Sequence, residues 1–166
     1  MSKFVSLLFF CQILGACIGA CLAVWSQYAY IRAVRDGKIN IAERAHLDVL
    51  ARGLRFGMTL ILISSLALVV IAYVGHTALQ PASTAGYWVF MMLAFLIIGI
   101  TWALSCRQVS FEIGSAVALS AWWLLAFITF GWLSASFGSA VALYVVLTVI
   151  VYALIRLVHF FALHKN

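Results

Sequence analysis

Charge is what this chain has least of. Only 8 % of its 166 residues are Asp, Glu, Lys or Arg, and 67 % are hydrophobic. A soluble domain is nearer a quarter charged and half apolar. So little charge cannot cover a water-facing surface, and the composition is that of an integral membrane protein. Acidic residues number four, Asp36, Glu43, Asp48 and Glu112, and no charged residue of either sign falls in the middle of an apolar run. Proton and ion pathways are usually lined by such groups despite their cost in hydrocarbon, so a pump is disfavoured. The single proline, Pro81, sits between runs, and there is no internal repeat. Broken, paired helices of the transporter kind are therefore not indicated. The cysteines Cys11, Cys17, Cys21 and Cys106 form no C-x-x-C, which leaves neither a disulfide framework nor a zinc site. The apolar runs are continuous and do not alternate, which excludes a β-barrel.

What is present is a series of long apolar runs. At about 20 residues per crossing, the spans fall at residues 4–31, 56–78, 87–104, 113–133 and 137–161, with Ser134, Ala135 and Ser136 as a tight connection before the last. The expected fold is an all-α integral membrane protein, a single transmembrane domain over 1–166 built as a bundle of five transmembrane helices. Leu14, Gly15, Ala16 and Cys17 have the form of a lipoprotein cleavage site. Cleavage there would leave 18–31, too short to span, so the first run is read as a true crossing.

Basic residues set the orientation. Arg32, Arg35, Lys38, Arg44, Arg52 and Arg55 all fall in the first connection, Arg107 in the third, and Arg156 and Lys165 near the C-terminus. Placing these nine inside leaves only Lys3 outside, so the positive-inside rule puts the N-terminus out and the C-terminus in the cytoplasm. The default location is a prokaryotic cytoplasmic (inner) membrane. Trp25, Tyr28, Tyr30 and Trp102 then form an inner aromatic belt, and Tyr87, Trp88 and Trp132 an outer one. Basic residues placed this way report topology and not a nucleic-acid surface, and no nucleic-acid partner is expected.

The one polar segment carries its own pattern. Asn40 followed by Glu43 predicts a helix start near Ile41. From there Leu47, Leu50 and Leu54 share one face while Arg44, Asp48, Arg52 and Arg55 share another. Residues 41–55 are thus an amphipathic cytoplasmic helix leading into the second span. Its arginines Arg44, Arg52 and Arg55 are candidates to meet anionic lipid or a subunit of a membrane complex.

Other candidates are sparse. A b-type haem needs two axial ligands at one depth, and the histidines available are His46, His76 and His159. Arg107 and Glu112 are placed to form an ion pair at the inner interface. Gly15, Gly19 and Ala23 make a small-residue stripe on the first span, suited to close helix packing within the bundle or between copies in a homo-oligomer. Ala116 and Ser120, with Gly114, Ala118 and Ala121, lighten the fourth. Gly99 and Gly131 read as isolated packing positions, and Trp122 with Trp123 as core filling, a lipid-facing pair or the wall of a pocket. No catalytic motif is present. The expected function is a non-catalytic accessory or assembly subunit of a membrane complex; the alternatives are a redox protein holding haem b or quinone, and a transporter or channel formed by oligomerisation.

Overall fold

A computed structural model describes residues 2–35, 41–75, 84–106, 108–133 and 136–164; within these, the side chains of 2, 33–35, 41–50, 159 and 161–164 are not described. Among the described residues there are five helices and no strand: α1 (Ser2–Arg35), α2 (Ile41–Val74), α3 (Ala85–Ser105), α4 (Phe111–Thr129) and α5 (Phe137–His164). Each contains a stretch long and apolar enough to cross a membrane.

The helix ends follow from local chemistry. α2 begins at Ile41, where the Asn40 and Glu43 pattern places it, and continues unbroken to Val74, so the amphipathic segment and the second apolar run are one helix. Residues 76–83, which hold the expected end of that run, lie outside the described residues. α3 is capped by Thr84, whose hydroxyl accepts from the Tyr87 amide. α4 stops at Thr129, four residues before the expected end at Leu133. Gly131 adopts a φ of 72°, its amide donates to the Ile128 carbonyl, and the Trp132 amide donates to the Phe127 carbonyl. These two bonds are a Schellman cap, completed by a contact between the Phe127 and Trp132 rings at 5.8 Å. Gly131 is therefore a helix terminator and not a packing position. Gly99 has no neighbour within 4 Å of an added Cβ, so it packs against nothing. Ser136 starts α5 by accepting from the Ser139 amide; Ser134 and Ala135 lie outside the described residues.

A few contacts define the arrangement. Gly19 meets Trp122 and Tyr30 meets Phe111, so eleven positions along α1 match eleven positions back along α4, an antiparallel pairing. Gly15 and Gly19 meet Gly57, while Leu22 meets Gly53, which makes α2 antiparallel to α1. Leu104 of α3 lies on Gly114, and Arg156 of α5 reaches Glu112. One end of the bundle therefore gathers the C-terminal ends of α1, α3 and α5 with the N-terminal ends of α2 and α4. α4 is central, packed on α1, α3 and α5, while α2 packs on α1.

Small residues make this packing close. A Cβ on Gly15 would stand 2.8 Å from the Ile61 side chain and 2.9 Å from the Gly57 carbonyl oxygen, so two backbones touch there. A Cβ on Gly19 would overlap the Trp122 indole, which is 2 % exposed. Trp122 thus fills the core, while Trp123 beside it is exposed at 42 %. Ala16, Ala20, Leu93, Leu124 and Leu125 complete the interior.

Candidate functional site

Chemistry-bearing side chains collect at the end where α1, α3 and α5 finish. Arg156 places Nε 3.2 Å from Oε2 of Glu112 and donates from Nε to the Tyr152 hydroxyl at 3.1 Å. Its guanidinium carbon also lies 5.7 Å from the Tyr152 ring centre. Tyr30 stacks on Phe111 with ring centres 3.8 Å apart, joining α1 to the first turn of α4. Trp25 and Tyr28 touch at 6.0 Å, and both are exposed, as is Trp102. Arg32, Arg52 and Arg55 are exposed at the same end. Aromatic and cationic groups thus gather at this end of the bundle.

Glu112 has a partner that the sequence does not propose. Glu112 forms an ion pair with Arg156, 44 positions away on α5, while Arg107 lies outside the described residues. Hairpin proximity pointed to Arg107; only the antiparallel register of α4 and α5 brings Arg156 across. Arg156 is largely exposed, so the pair fixes geometry more than it stabilises. Of the three arginines expected to meet lipid or a subunit, Arg52 and Arg55 are described and exposed, whereas the Arg44 side chain is not described. His76 lies outside the described residues, and the side chains of His46 and His159 are likewise not described, so no haem geometry can be built on them.

The stripe of Gly15, Gly19 and Ala23 is occupied within the chain. Gly15 is closed by α2, Gly19 by Trp122 of α4, and Ala23 is buried. It is an internal seam.

A polar seam joins α4 to α5 in the interior. The Ser120 and Thr148 hydroxyls lie 2.7 Å apart, one donating to the other, and each also lies 2.8 Å from a carbonyl of its own helix, Ala116 and Tyr144. The Tyr144 hydroxyl donates to the Val117 carbonyl at 3.2 Å. Interhelical hydroxyl bonds of this kind average about 0.6 kcal/mol in membrane proteins. A double-mutant cycle of Ser120→Ala and Thr148→Val, read by reversible unfolding in detergent, is expected to give a coupling of about that size. Strict additivity would mean that the two hydroxyls do not hold each other.

No family model matches this chain, and no curated protein or solved structure matches it either.

Proposed function

We propose that this protein is inserted in a prokaryotic cytoplasmic membrane with its N-terminus outside and C-terminus inside, and acts as a non-catalytic accessory or assembly subunit of a membrane complex. The observation behind this reading is the close-packed interior: Gly15 against Gly57 and Gly19 beneath Trp122. Buried hydroxyls there are committed to helix carbonyls, as Ser64 is to Leu60 and Ser120 to Ala116. An interior organised this way serves packing, and contact with other molecules falls to the outer faces and to the basic end.

Orientation is tested with the exposed cysteine that ends α3, Cys106. In a variant with Cys11, Cys17 and Cys21 replaced by alanine, a membrane-impermeant thiol reagent applied to intact cells is expected to spare Cys106. The same reagent should label a Ser136→Cys chain that lacks the native cysteines. The reverse pattern would overturn the orientation.

The subunit role is tested by purification in mild detergent. A protein partner is expected to copurify in fixed ratio and to be lost when Arg44, Arg52 and Arg55 are all changed to glutamine in a correctly inserted chain. A haem Soret band in the purified protein, or solute flux in liposomes containing it alone, would overturn the reading.

A further inference from the structure

We propose that the outward face of α2 holds an anionic phospholipid, with Arg55 on its phosphate and its acyl chains along the helix below. The inference rests on the membrane insertion proposed above, and it gives Arg55 to lipid where the subunit reading gives it to a protein.

The first observation is depth. Gly57 touches Gly19, and Gly19 lies beneath Trp122, ten positions along α4 from Glu112. At 1.5 Å per residue, Arg55 therefore leaves the backbone roughly 12 Å below the level of Glu112. In a bilayer that origin is inside the apolar layer, and the guanidinium has to reach up toward the headgroups. The aromatic belt marks where they are: Leu22 faces Gly53, so Trp25 stands about half a turn nearer the end than Arg52 and about 7.5 Å nearer than Arg55, at the interface level that exposed tryptophan prefers.

The second observation is direction. Arg52, Arg55, Thr59, Ile63, Leu66 and Val70 recur at steps of three and four and are all exposed, forming one stripe down α2. The small residues Gly57, Ser64, Ser65 and Ala72 are on the opposite, buried side. Helix-to-helix contacts in membranes favour small residues, and α2 has spent those on α1. The outward stripe is bulky and aliphatic, which suits an acyl chain better than a second helix.

The third is charge. The residues three and four positions from Arg55 in α2 are Ala51, Arg52, Met58 and Thr59, and residues 19–23 of α1 at its level include no acid. Glu112 is engaged by Arg156 at the end of the bundle. A cation at this depth whose nearest helical neighbours offer no carboxylate is matched by an anion from outside the chain, and Arg presents a donor fork suited to phosphate.

The test uses the purified full chain in neutral detergent, with phosphatidylglycerol or phosphatidylcholine added and thermal unfolding followed. Phosphatidylglycerol is expected to act at about tenfold lower concentration than phosphatidylcholine. Arg55→Gln should remove that preference, and Arg55→Lys should keep most of it. Equal action of the two lipids on the unaltered chain, or an undiminished preference in Arg55→Gln, would overturn the proposal. A photoreactive residue at Ile63 in native membranes should cross-link to phospholipid; cross-linking to a protein instead would show that a partner supplies the anion and would also overturn it. Extraction of the unaltered chain from membranes by alkaline carbonate would defeat the membrane reading itself, whereas a retained chain with no anionic preference defeats the lipid site alone.

Discussion

Leucine in place of Gly19 is expected to unfold or severely loosen the bundle. Already the Cβ would overlap the Trp122 indole, and the indole is a rigid double ring held at 2 % exposure, so it cannot turn aside as the tip of a flexible chain would. Gly57 adds its backbone on the other side, since a Cβ at Gly57 would come 3.4 Å from the Gly19 nitrogen. Overpacking a well-filled core costs about 1–3 kcal/mol when neighbours can shift. The bulk of leucine between a backbone and an indole places this substitution at or beyond the upper end. Thermal unfolding in detergent should register a loss of that size. An unchanged transition would mean that α1 does not approach α4 as described.

Removing the indole should be nearly as damaging for the opposite reason. Trp122→Ala empties the space above Gly19 and between α1 and α4. The usual cost of Trp→Ala in a core is about 3–5 kcal/mol, from lost transfer energy and the cavity left behind. Lipid or detergent tails are as apolar as the side chain, so the transfer part shrinks and the cavity part remains. About 3 kcal/mol is therefore expected, measured by the same unfolding. The combination Gly19→Leu with Trp122→Ala supplies a side chain for the space, so the pair should lose at least 1 kcal/mol less than the sum of the singles, as residues in contact do. Full additivity would show that the two positions do not share one volume.

What could be read in advance divides along sequence separation. Five helices follow from apolar run length alone, and the start of α2 from Asn40 and Glu43, because both are local properties. The end of α4 was also local, yet hydropathy passes over it: Phe130, Trp132 and Leu133 keep the run apolar while Gly131 turns the backbone. A glycine near the end of a run is a helix-stop signal, and it was there to be used. The stripe of Gly15 and Gly19 was legible as a surface made for close approach, but not which surface it meets. Gly53 and Gly57 repeat the same four-residue spacing on α2 and could have named one partner. Trp122, 103 positions from Gly19, could not be found without the register between helices. The same holds for Arg156 opposite Glu112 and Thr148 opposite Ser120, pairings that no local pattern carries.

The place of α5 in the bundle bears on how the protein is made. Its apolar stretch is almost wholly exposed, and α4 is its main neighbour. Every group in the nest of Gly15, Gly19, Gly57, Ile61 and Trp122 precedes Thr129 in the chain. The ribosome delivers the chain from its N-terminus, so every residue of that nest is synthesised before residue 137. α5 is the last helix delivered, and the Ser120, Val117 and Glu112 side of α4 is the dock at which synthesis finishes.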